Sequence, residues 1–190
     1  LTVPDLGAVL REAPHDVALK VFFYGALYGF GGMAFALAIR CIGFSMTYGM
    51  AIGISAVFGT VVPQVLDGTL VSNFQKPGGL MVLVAFLLSM VGVAVCGRAG
   101  FLKERELADK GGDDTGFDMK KGIWLVVLAG ILSGIFGVGA AAGQPIDNIA
   151  SQHGAMAGFA GYPKYIFLTG GTLLTNLVWW LIVCLRRGTL

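Results

Sequence analysis

Apolar positions along this chain fall into long runs, with polar and charged positions gathered between them. Crossing a roughly 30 Å hydrocarbon core takes about 20 residues of helix at about 1.5 Å of rise per residue. Five runs reach that length, at about Val17–Ile39, Phe44–Leu66, Gly79–Gly97, Gly122–Gly143 and Pro163–Leu185. Backbone polar groups find no water in lipid, so each run is expected to close its hydrogen bonds internally as a helix. Strict apolar/polar alternation is missing, which argues against a transmembrane barrel. The pattern therefore predicts an all-α, polytopic transmembrane helix bundle, with residues 1–190 as a single transmembrane domain and residues 98–121 as a cytoplasmic loop. Within that loop, Phe101 to Lys110 has the spacing of a short surface helix, with Glu106 four residues before Lys110, until Gly111-Gly112-Asp113-Asp114 breaks it.

Composition sharpens this picture. Of 190 residues, 56% are hydrophobic and only 13% charged, and the mean hydropathy is +0.79. A water-soluble domain needs a more charged surface than that. The formal charge of +2 is spread over segment ends and one loop, so there is no basic face for nucleic acid. Cys41, Cys96 and Cys184 lack metal-ligand spacing and read as reduced packing residues. Arg11, Lys20, Lys76 and Lys164 fall on one side of the predicted spans. Arg40, Arg98, Lys103, Arg105, Lys110, Lys120, Lys121, Arg186 and Arg187 fall on the other. By the positive-inside rule the second side is cytoplasmic, which places the first residues of this chain outside and the last inside. Leu1 is not an initiator Met, and the first sixteen residues do not resemble a signal peptide, so the chain is expected to be a fragment of a longer protein.

Thirty glycines include pairs four apart, Gly25/Gly29, Gly49/Gly53, Gly130/Gly134 and Gly139/Gly143. Such pairs flatten a helix face and let backbones approach closely. They are read as architecture, since the same spacing serves membrane proteins of every function.

No predicted span carries an acidic residue or a histidine near its middle. Asp147 is the first candidate for a proton-carrying group, because Gly143-Gln144-Pro145-Ile146-Asp147-Asn148 follows a glycine-rich helix end. An unwound helix end offers carbonyls, an amide and a carboxylate to a polar solute. The plain alternative is that the fourth helix ends at Pro145 and enters a watery loop. His153 reads as a solvated loop histidine.

A neutral polar solute needs amides and hydroxyls for its own polar groups, and an aromatic face for any C–H surface it presents. Candidates are Tyr24 and Tyr28, four apart on the first span, Gln64 beside Pro63, Gln144, and Asn176 four residues after Thr172. A buried amide must find partners, and for Asn176 these are either another helix or a substrate. The threonines of the fifth span are expected to satisfy their hydroxyls on their own helix. Trp179 and Trp180 suit an interfacial belt. Enzyme chemistry is not expected: there is no HExxH, no Gly-x-Ser-x-Gly elbow and no acid/base pair within a span. No metal or cofactor is called for.

Several segments carry a family resemblance. Phe23-Tyr24-Gly25-Ala26-Leu27-Tyr28-Gly29-Phe30-Gly31 is followed by Ala38-Ile39-Arg40-Cys41-Ile42-Gly43-Phe44-Ser45-Met46 and Gly49-Met50-Ala51-Ile52-Gly53-Ile54. Further on come Gly97-Arg98-Ala99-Gly100-Phe101-Leu102-Lys103-Glu104-Arg105 with Lys120-Lys121-Gly122, and Gly170-Gly171-Thr172 before Asn176-Leu177. In order and spacing these resemble the L-rhamnose–proton symporter family of the drug/metabolite transporter superfamily, over most of Val21 to Arg187. The resemblance implies a ten-helix carrier of the bacterial inner membrane that takes up L-rhamnose with a proton, this chain forming helices three to seven. Its partners would be a small sugar, protons and membrane lipid, and alternating access its mode of action. Two other readings stand beside it: a different metabolite or drug transporter of the superfamily, and a membrane sensor or scaffold that moves no solute.

Overall fold

A computed structural model describes residues 3–109, 118–156 and 158–188. Among the described residues eight helices follow one another: α1 (Leu6–Glu12), α2 (His15–Ile42), α3 (Phe44–Leu66), α4 (Leu70–Gln75), α5 (Gly79–Asp109), α6 (Met119–Ala142), α7 (Gln144–Gln152) and α8 (Pro163–Arg187). Five helical stretches among the described residues are long and apolar enough to cross a membrane, α6 and α7 counting together as Met119–Gln152. The protein is thus an all-α polytopic membrane protein.

Local chemistry accounts for the joints. The Asp5 carboxylate accepts a hydrogen bond from the Ala8 N–H at 3.3 Å and caps α1. Pro14 disfavours helical geometry at Ala13, which turns extended (ψ 127°) and ends α1. Gly43, at φ +84°, provides the sharp turn between α2 and α3 that a residue with a Cβ would resist. At the far end, Gly188 adopts the left-handed conformation and its N–H bonds back to the carbonyls of Cys184 and Leu185, closing α8.

Two regions differ from the expectation read off the chain. The third membrane helix does not stop at Gly97: α5 continues without a break to Asp109, because residues 98–109 contain no proline and only one glycine, Gly100. The Gly111-Gly112-Asp113-Asp114 stretch lies outside the described residues. Nor does Pro145 open a watery loop or an unwound end. The chain breaks its helical course at Gly143 and restarts at once as α7, with Pro145 in the first turn, where its missing N–H costs nothing. A continuous helix of 34 residues would be about 51 Å long, well beyond a roughly 30 Å core. The break lets α7 take a course of its own.

By their contacts the residues form two compact units, Gly31–Gly134, and Leu1–Phe30 together with Ile135–Leu190. In the first, Ala38, Ile42, Met50, Ala51, Met119 and Val126 form a buried apolar core. Cys41 and Cys96 pack against it. Helices α3 and α6 meet at glycines: a Cβ on Gly134 would lie 2.9 Å from the Gly59 nitrogen. In the second unit, α1 lies on α7 through Val9, Ala13, Ile146 and Ala150, all buried. Helix α8 packs backbone to backbone on α2, so closely that a Cβ on Gly25 would overlap the Leu168 carbonyl oxygen and one on Gly171 the Phe22 carbonyl oxygen. Gly25/Gly29 therefore work as the close-approach face their spacing predicts.

Candidate functional site

The chemistry of the second unit gathers where α7 and α8 begin. Asp147 lies in the first turn of α7, where the partial positive charge of the helix end favours a carboxylate. Lys164 is the second residue of α8, after Pro163. Its stem runs over Gly143, where a Cβ would stand 2.8–2.9 Å from the lysine's methylene carbons. A side chain there would push the ammonium away.

With that space kept open, the Lys164 Nζ donates to Asp147 Oδ2 at 2.6 Å. Both residues are buried, each only 8% exposed. Asp147 Oδ1 is buried and has no hydrogen-bond partner among the described residues. Leaving such an oxygen unsatisfied costs about 1–3 kcal/mol, more for a charged group. A pair kept only for stability would be expected to satisfy both oxygens.

From the ammonium an aromatic row leads away. The Lys164 Nζ lies 5.8 Å from the Tyr165 ring centre, within cation–π range. Tyr165 stacks on Phe136 at 5.9 Å between ring centres, and Phe136 meets Tyr28 at 4.9 Å, tilted by 56°. The row runs charge, ring, ring, ring, all from one unit. Tyr24 is half-buried on α2, with its Cβ against Gly139.

The remaining sequence candidates fall elsewhere. Gln144 is exposed at the start of α7. Asn176 is also exposed, and its side-chain amide donates to the Thr172 carbonyl at 2.9 Å on its own helix. Gln64 belongs to the other unit, where its Oε1 accepts from Asn73 at 3.3 Å and Asn73 accepts from Lys76 at 2.7 Å. Two α8 threonines depart from a purely local role. Thr172 and Thr175 reach across to α2 and donate to the carbonyls of Gly25 at 2.9 Å and Ala26 at 3.1 Å, while also lying near carbonyls of their own helix.

Residue-by-residue reading missed Lys164, Phe136 and Tyr165 as neighbours of Asp147 and Tyr28. The one available signal was Pro163-Lys164, a proline-led helix start carrying a lone cation into an apolar run. His153 is more than a solvated loop residue. It caps α7 and pairs with Glu12 of α1 at 2.9 Å. That hydrogen bond, more than the added attraction of the Glu12 and Asp5 charges, holds its imidazole above its ordinary pKa against some desolvation.

Five membrane-length helices, a buried ion pair and an aromatic row define an integral membrane protein of the polytopic helical class, with polar chemistry set into one of its units. Comparison with known proteins narrows this. The chain belongs to the L-rhamnose-proton symport protein (RhaT) family, whose sequence model matches residues 1–188. Among curated relatives, the L-rhamnose-proton symporter of Klebsiella pneumoniae subsp. pneumoniae is 34% identical over 175 residues, covering 92% of this chain and 50% of that protein. That of Cronobacter sakazakii is 35% identical over 177 residues, covering 93% and 50%. That of Mannheimia succiniciproducens is 32% identical over 188 residues, covering 99% and 54%. The chain spans about half the length of the curated relatives it matches. No solved structure matches it.

Proposed function

We propose that the protein to which this chain belongs takes up L-rhamnose, or a closely related sugar, across the bacterial inner membrane together with a proton, as part of a ten-helix carrier. The observation that carries this reading is the family match along nearly the whole chain, joined to relatives named as L-rhamnose-proton symporters. The buried Asp147 with an unpartnered oxygen supports it as the proton-carrying group, since ionisable residues in membrane segments commonly mark proton paths. Tyr28, Tyr24, Gln144 and Asn176, all of one unit, are proposed sugar contacts, and Gln64 of the other unit is proposed separately. The aromatic row favours Tyr28 among them, because stacked rings offer the face that a pyranose C–H surface requires. In this reading α2 begins outside and α8 ends inside, as the clustering of Arg40, Arg98, Lys103, Lys120, Lys121, Arg186 and Arg187 at alternate helix ends suggests.

The test is labelled L-rhamnose uptake by right-side-out and inverted vesicles carrying the whole protein, with and without an imposed proton gradient. Uptake that depends on the gradient and is competed by unlabelled rhamnose is expected, and Asp147→Asn is expected to remove the gradient's effect. An inserted protein that moves no rhamnose would send the function to another solute of the superfamily.

A further inference from the structure

We propose that Lys164 is the counter-ion that ties sugar movement to the proton, a positioning residue acting through Asp147 without touching the sugar; this rests on Asp147 as the proton-carrying group. In the pair as it stands, one carboxylate charge cancels one ammonium charge, with Oδ2 as the shared contact at 2.6 Å. Oδ1 is the oxygen left without a partner among the described residues. A proton taken from water on one side forms an O–H bond at Oδ1, and Oδ2 still accepts from Lys164. One O–H bond of a hydronium ion breaks, leaving water, as the O–H bond at Oδ1 forms, and on the other side the proton passes to water and the carboxylate is restored.

Protonation changes the charge of the buried pair from zero to one positive. A buried ammonium without its counter-ion is an unfavourable state. It is relieved when the proton leaves or when Lys164 moves toward water. The lysine stem lies on Gly143, the break between α6 and α7, so a shift of Lys164 bears directly on that joint. Other charged groups on neighbouring elements do not offer the same compensation. Arg11, Asp16 and Lys20 are exposed, and Glu12 on α1 is held by His153. Tyr165 contributes only its ring face, at 5.8 Å from the ammonium.

The experiment uses the whole protein in proteoliposomes, with insertion checked by detergent size exclusion, and two readouts. One is net L-rhamnose uptake driven by a proton gradient. The other is exchange of labelled for unlabelled rhamnose without a gradient, which shuttles the loaded carrier and needs no proton release. Lys164→Gln is expected to lose about tenfold or more of gradient-driven uptake, in the range of a typical coupling between sites, while exchange stays close to that of the parent. Lys164→Arg is expected to keep both. Gradient-driven uptake of parental size in Lys164→Gln overturns the proposal, as does equal loss of uptake and exchange in an inserted protein. Should Lys164→Gln fail to insert, the neutral pair Asp147→Asn with Lys164→Gln removes both buried charges. Its insertion where Lys164→Gln alone fails supports the counter-ion role, because the lysine is then needed only against the Asp147 charge, and its failure to insert as well overturns that role. Asp147→Asn alone separates the two levels. If it remains gradient-driven, the proton-site reading fails; if it is uncoupled while Lys164→Gln is fully coupled, only the role of Lys164 fails.

Discussion

The two compact units are both built from apolar membrane-length helices, yet among the described residues only one buries charge. The core of the Gly31–Gly134 unit is Ala38, Ile42, Met50, Ala51, Met119 and Val126. Its one fully buried hydroxyl among the described residues, Thr47, donates to the Gly43 carbonyl at 2.7 Å. The other unit holds Asp147 and Lys164 in a buried pair, ties α8 to α2 through two threonine hydroxyls and lines up three aromatic rings. Both use glycine for close helix contact, so close contact by itself says nothing about chemistry. What distinguishes the units is whether buried polar atoms are used up locally. In a medium without water, a carboxylate oxygen left unpartnered is costly enough to need a reason.

That contrast can be broken or sharpened experimentally. The largest effect is expected at the α2–α8 contact. Gly171→Ala sets a Cβ on the Phe22 carbonyl oxygen, and such overpacking typically costs about 1–3 kcal/mol or more. Thermal unfolding followed by fluorescence-detected size exclusion should show a clear fall in melting temperature. Gly49→Ala in the other unit places its Cβ no closer than 3.4 Å, to Cys96 Sγ, and should change the melting temperature much less. An equal fall in both would show that the contact at Gly171 is no tighter than the one at Gly49.

Next comes the aromatic row. Tyr28→Ala removes its outer ring, and aromatic pairs contribute about 0.5–1.5 kcal/mol beyond burial. In the whole protein, under the rhamnose transport proposed above, the apparent Km for rhamnose should rise several-fold, while Tyr28→Phe stays near the parent. A comparable rise from Tyr48→Ala, whose ring lies against Phe44 in the other unit, would show that the row has no special part in binding.

Smaller effects are expected from the cross-helix hydroxyls. Thr172→Val and Thr175→Val should each lower stability by about 0.6 kcal/mol, the usual value for interhelical hydrogen bonds in membranes. Thr60→Val, whose hydroxyl serves only the Ala56 carbonyl of its own helix, should be close to neutral.

The smallest effect concerns the exposed Glu12–His153 contact between α1 and α7. Because the folded imidazole titrates above its ordinary value, its contribution is complete below the unfolded pKa, near 6.5. That contribution is lost as pH rises through the higher folded value. Hydrogen exchange in α1 should therefore show more protection at mildly acidic than at alkaline pH, after correction for intrinsic exchange. Glu12→Gln should flatten the difference.

Much of the architecture is legible in the chain because lipid makes a simple demand: about twenty apolar residues in a row must be helix. Five runs satisfied it, and the glycine pairs that bring helices close were visible as spacing. The end of the third helix was misplaced at Gly97 because apolar length ends where charge begins, whereas helical hydrogen bonding carries on through charged residues such as Lys103 and Glu106. The break at Gly143-Gln144-Pro145 was visible, but its consequence was not: proline stops one helix and suits the first turn of the next equally well.

Sequence alone determined the membrane class, the number of spans and the family, all of which depend on local composition and collinear motifs. Tertiary structure decided the partners. Asp147 and Lys164 are seventeen positions apart on different helices, Tyr28 and Phe136 are farther apart still, and Glu12 meets His153 across 141 positions. Which side chain meets a buried carboxylate depends on how helices are rotated and where a missing Cβ makes room, and no spacing rule along one helix contains that information.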